Sequence, residues 1–107
     1  MVIIETSVFT RQIIALMNDE TYAAFQSDLA GHPDMGAIIP GSGGIRKVRI
    51  AAKGHGKRGG ARVIYYWAVS ESQIFMLLAY AKNERENLTQ EQLKTLRTLV
   101  EKEFKDG

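Results

Sequence analysis

The 107-residue chain has no cysteine, which excludes a disulfide framework, a thiolate nucleophile and a thiolate zinc site. That absence fits a reducing compartment, and the cytoplasm is the expected location. Histidine occurs twice, and His32 and His55 make no metal-ligand spacing with other donors, so no metal site is expected. No apolar run approaches the roughly 18 residues of a membrane span, and no membrane association is expected. The opening MVIIETSVFT lacks the basic start and apolar run of a secretory signal. Repeats and low-complexity tracts are missing too. At this length and with 45% apolar residues, residues 1–107 are expected to form a single domain.

A further absence is local. Between Met35 and Ser70 there is no aspartate or glutamate, yet this window holds Arg46, Lys47, Arg49, Lys53, Lys57, Arg58 and Arg62, half of the 14 cations in the chain. The net charge of +2 conceals this layout, because the remainder is acidic. A basic centre in an acidic frame points to a local anionic partner. A solvated loop normally mixes signs.

The periodicities predict a sequence of elements. Val2 to Ile4 is β-branched and apolar, a strand. Thr6 or Ser7 then caps a helix with Phe9, Ile13, Leu16 and Met17 on one face. Asn18 caps a second helix, with Asp19 and Glu20 in its first turn and Tyr22, Phe25 and Leu29 as its stripe. Gly31 ends that helix and Pro33 prevents its return. The stretch from Pro33 to Gly44 reads as loop. IRKVRIAA alternates apolar and basic residues, whereas ARVIYYWAV and QIFMLLAYA are almost continuously apolar. Together they predict an antiparallel meander. Thr89 and Gln92 have capping-box spacing, Leu88 and Leu93 that of a hydrophobic staple, and Leu93, Leu96, Val100 and Phe104 mark a last helix. The expected class is α+β in the order β-α-α-β-β-β-α, an antiparallel sheet with helices packed on one face.

Residues 53–62, KGHGKRGGAR, then form the loop of a hairpin. The four glycines of this stretch permit an inward-turned nest of backbone N–H groups, with Lys53, Lys57 and Arg58 around it. Arg62 begins a strand and is held more rigidly, which suits bidentate phosphate binding by a planar guanidinium. Arg46, Lys47 and Arg49 on the preceding strand extend the patch. Neighbouring cations favour the neutral form of His55, as a general base requires. GSGGIRK at 41–47 is not a Walker loop, since its spacing differs and a strand follows it. No Ser-His-Asp set or carboxylate pair accompanies the patch, so any chemistry there must use cations. RNA cleavage meets that condition. The ribose 2′-OH attacks the adjacent phosphate while cations neutralise the phosphorane and other groups move the protons. Lys53, Lys57, His55 and Lys82 are the candidates for those transfers. Tyr65, Tyr66 and Trp67 could stack on bases, but successive strand residues face opposite ways and most of them belong to the core.

GSGGIRKVRIAAKGHGKRGGARVIYYW, followed by LLAYAKNERENLTQEQ, resembles the RelE/HigB group of bacterial type II toxins, and most closely the HigB-type branch with its glycine-rich basic hairpin and KNExxxL before the last helix. The resemblance implies a ribosome-dependent messenger-RNA endoribonuclease that arrests translation and needs no metal or other cofactor. It implies a cognate antitoxin, in this branch one with a helix-turn-helix domain through which the pair reaches operator DNA. By position, Arg62 matches the family's phosphate-binding arginine, Arg49 falls where relatives carry a basic residue, and Lys53 and Lys57 lie where catalytic cations are supplied. Asn83 stands where the best-known RelE pattern has an arginine, and Thr89 where it has a tyrosine. Two alternatives remain at this point: a ParE-like gyrase inhibitor, and an RNA-binding module without chemistry.

Overall fold

The computed structural model describes residues 1–50, 60–84 and 87–105. Its elements are β1 (Val2–Glu5), α1 (Ser7–Leu16), α2 (Asp19–Gly31), β2 (Ala37–Ile38), β3 (Ile45–Ile50), β4 (Ala61–Ala68), β5 (Gln73–Ala81) and α3 (Gln90–Val100), which continues as a π-helical turn over Glu101–Lys105. The sheet order is β1-β5-β4-β3-β2. The α+β class and the order of the main elements are as expected from the sequence.

The helix starts follow from side chains that satisfy otherwise orphaned N–H groups. The Thr6 hydroxyl accepts from the Phe9 N–H, the Asn18 amide oxygen accepts from the Thr21 N–H, and Thr89 with Gln92 forms the complete capping box. Helix α2 runs through Gly31 and is capped by His32, just before Pro33.

Three features go beyond the expectation. The segment expected as loop contains the short strand β2, antiparallel to β3. Strand β1 lies parallel to β5, which makes the sheet mixed rather than antiparallel. The helices, expected on one face, divide between two. On one face Phe9, Ile13, Phe25 and Leu29 pack with Val48, Val63, Tyr65, Ile74 and Met76. On the other, Leu96 and Val100 of α3 pack with Ile45, Ile64, Phe75 and Leu77. The physical reason is the composition of β4 and β5. A strand apolar on both sides needs cover on both, and a helical layer on one face would leave Ile64 and Leu77 in water.

A bulge in β5 fixes how α1 sits. Ile64 pairs with Leu78 but Tyr65 with Met76, so Leu77 is the extra residue. Two α1-side residues serve the backbone there. The Thr6 hydroxyl donates to the Leu77 carbonyl at 2.9 Å, and the Ala79 N–H donates to the Gln12 amide oxygen at 2.9 Å.

Candidate functional site

The meander places three cations together on the face that α3 partly covers. Strand alternation puts Lys47 and Arg49 on one side of β3, and the register sets Arg49 directly opposite Arg62 of β4, with Tyr80 of β5 beyond it. Lys47, Arg49 and Arg62 line a cavity of about 340 Å³ together with Ala37 of β2 and Asn87, from the segment before α3.

Arg62 is the rigid centre of this group. It is only 4% exposed although it carries a full positive charge. Its Nη1 reaches the Ala61 carbonyl at 3.5 Å, at the limit of a hydrogen bond. Among the described residues the one ion pair joins Arg97 of α3 to Glu101 at the start of the π-helical turn, so none of those carboxylates pairs with Arg62. Burial of a guanidinium is costly unless an anion or good acceptors compensate it. The opposing position of Arg49 adds repulsion, since like charges directly across a ladder are destabilising. Arg49 is exposed and Lys47 half-buried, so the cavity grades from a buried floor to an exposed rim. Lys47 Nζ donates to the Asn87 amide oxygen at 2.8 Å.

Gly60 sets the close approach of β3 and β4 beside this floor. A Cβ there would stand 2.9 Å from the Ile50 carbonyl oxygen, closer than side chains tolerate. The Gly60 carbonyl in turn accepts from the Lys82 N–H at 2.9 Å, which carries the β4–β5 ladder past Tyr80.

The residues singled out in the sequence fall into three groups. Lys47, Arg49 and Arg62 are brought together. Arg46 and Lys82 are described but placed elsewhere. Arg46 pairs with Tyr65 on the opposite face, and its Nη1 donates to the Gly36 carbonyl at 2.7 Å and the Asp34 carbonyl at 3.3 Å, which ties β3 to the β2 segment. Lys82 is exposed just after β5, two positions beyond Tyr80, and does not line the cavity. Lys53, His55, Lys57 and Arg58 lie outside the described residues, as does the glycine nest expected around them. Tyr65 is fully buried, its hydroxyl donating to the Pro33 carbonyl at 2.6 Å and accepting from the Gly36 N–H at 2.9 Å. Tyr66 and Trp67 pack against the two cores. The aromatic trio is therefore structural here.

Asn87 was not legible as a site residue. It belongs to no periodic element, and nothing in its spacing from Lys47, 40 positions earlier, signals contact. Among the described residues there is no cluster of three or more metal-ligating side chains, and no helix long and apolar enough to cross a membrane.

A mixed sheet between helical layers, with a buried arginine and two further cations around a cavity, defines a small α+β protein with a cationic cavity on its sheet. The model of the RelE toxin of the RelE/RelB toxin–antitoxin system matches residues 7–106, and the chain belongs to that family. It is thus the toxin component of a toxin–antitoxin system, a class whose partner is an antitoxin.

Proposed function

We propose that this toxin is a messenger-RNA endoribonuclease of the HigB-type branch, acting on translating ribosomes. The observation that carries the reading is Arg62, a buried guanidinium opposite a second arginine at the floor of a cationic cavity. Such an arrangement costs folding stability and is offset when a phosphodiester supplies the missing negative charge.

In this reading the scissile phosphate sits against Arg62, with Arg49 and Lys47 closing around it. The ribose 2′-oxygen bonds to phosphorus while the 5′-oxygen of the next nucleotide leaves, giving a 2′,3′-cyclic phosphate and a free 5′-hydroxyl. One group takes the 2′ proton and another protonates the leaving oxygen. Lys53, His55, Lys57 and Lys82 are the candidates for these transfers, and Arg46 and Arg58 are candidates for binding RNA phosphates. The three cavity cations stabilise the extra charge of the phosphorane. The ribosome presents the codon in a reactive conformation, which supplies orientation that a small cavity cannot. The antitoxin carries a helix-turn-helix domain and brings the pair to operator DNA, and the toxin acts in the cytoplasm where ribosomes are.

The test is an in vitro translation reaction on a defined message, with 5′ ends mapped by primer extension, beside the same RNA without ribosomes. Cuts within translated codons, absent without ribosomes and lost in Arg62→Ala and Arg62→Lys, are expected. Uncut message with translation unimpaired, or full cleavage by folded Arg62→Ala, would overturn the reading. Inhibition of gyrase supercoiling in place of cleavage would establish the ParE-like alternative.

A further inference from the structure

Among the described residues, the cavity is lined by one polar side chain that is not a cation. Asn87 reaches it from the segment before α3, whereas Lys47, Arg49 and Arg62 come from the sheet. Its contact with Lys47 fixes its orientation. An ammonium group has three donors and no acceptor, so the atom 2.8 Å from Lys47 Nζ must be the amide oxygen. The amide nitrogen, with its two protons, then faces away from the lysine. Asn87 is exposed and lines the cavity, so its amide is not enclosed in a core.

We propose that Asn87 is a substrate-positioning residue that holds Lys47 by its oxygen and offers its amide N–H groups to an RNA phosphate seated on Arg62 and Arg49. This rests on the nuclease reading above and assigns that site a further member. Holding Lys47 removes rotamer freedom from a long side chain before substrate arrives, so less is lost on binding. The amide adds a neutral donor beside three charged ones. It lengthens the grip on the phosphate without adding a fourth positive charge to a group that already repels itself.

Two substitutions separate this role from simple tethering. Asn87→Asp keeps an oxygen for Lys47, and strengthens that contact by charge, but replaces the N–H donors with a second anionic oxygen facing the phosphate. Asn87→Ala removes both functions. If Asn87 only tethers Lys47, the aspartate variant outperforms the alanine variant. If it also donates to phosphate, the aspartate variant is the worse of the two.

The experiment is fluorescence-anisotropy titration of full-length protein with a labelled single-stranded RNA at several salt concentrations, without ribosomes. Ser27→Asp on α2, exposed and on the opposite face, adds the same negative charge far from the cavity and serves as control. Asn87→Ala is expected to bind several-fold more weakly with an unchanged salt slope, because Lys47 keeps its charge. Asn87→Asp is expected to bind at least about tenfold more weakly than wild type, since a like charge then faces the phosphate. Its salt slope falls by about 0.7, the value of one phosphate contact on a single strand. Ser27→Asp is expected to match wild type. Asn87→Asp binding as well as Asn87→Ala or better, or both matching wild type while Arg62→Ala loses binding, would overturn this inference alone. Arg62→Ala binding like wild type would instead overturn the placement of the phosphate on Arg62, and full cleavage by folded Arg62→Ala in the translation reaction would overturn the nuclease site beneath it.

Discussion

Arg49 and Arg62 stand directly opposite one another on neighbouring strands, and folding alone gives no reason for the pairing. An apolar residue at 62 would suit a site 4% exposed at least as well. Arg62→Leu is therefore expected to leave thermal stability unchanged or raised while abolishing RNA binding, to be checked by calorimetry and anisotropy on one preparation. Gly60 is the opposite case, a residue whose lack of a side chain is structural. With the Ile50 carbonyl 2.9 Å from any added Cβ, Gly60→Ala must push β3 from β4. Denaturant unfolding should show a loss of about 1–3 kcal/mol, the usual range for overpacking. Cleavage should fall as well, because Arg62 is two positions away.

At the scale of elements, the β5 bulge shows how a helix can be specified by a sheet. The buried Ala79 N–H has Gln12 as its partner, and the Leu77 carbonyl has Thr6, which also caps α1. Gln12→Leu keeps the apolar contacts of the helix but leaves a buried donor unmet. It is expected to cost about 1–3 kcal/mol in a urea melt, more than an exposed α1 substitution such as Ile14→Ala. The turn before β3 has the same logic. Ser42 is buried, its hydroxyl donating to the Ile39 carbonyl at 2.6 Å and accepting from the Ile45 N–H at 2.9 Å. It presents β3, and so Lys47 and Arg49, at a fixed height on the sheet.

For the whole molecule, two titrations follow from burial and charge. Tyr22 and Tyr65 both titrate above the ordinary tyrosine range, chiefly because burial disfavours the phenolate, and for Tyr22 also because its hydroxyl donates to the Glu5 carboxylate. A folded-state pKa above the unfolded value means the unfolded chain releases these protons first. Stability from this source is fully present below the unfolded value of 10.0 and is lost as pH rises through the folded values. Midpoints of urea melts should be insensitive to these tyrosines below that pH and fall above it, with the fall reduced in Tyr22→Phe. The second titration is with salt. Three cavity cations on a single strand give a slope of log K against log salt of at least about −2, steeper if loop cations join.

How much of this was legible beforehand follows from the range of the forces involved. The helix starts at Thr6, Asn18 and Thr89, the strands of the meander and the basic character of the centre were all readable, because capping, period-2 alternation and local charge depend on neighbours within a few residues. The near-continuous apolar runs of β4 and β5 were readable as strands, but the expectation of helices on one face was wrong, because α1 and α2 cover one side and α3 the other. The parallel docking of β1 on β5, the register that opposes Arg49 to Arg62, the diversion of Arg46 to the Gly36 carbonyl and the arrival of Asn87 at Lys47 were decided only by the tertiary structure. Each joins residues ten or more positions apart. Such contacts depend on which of several competing packings buries the most apolar surface with its polar groups met, and no local pattern carries that comparison. Local pattern was enough to require a cationic surface on a sheet, and long-range packing selected which cations form it.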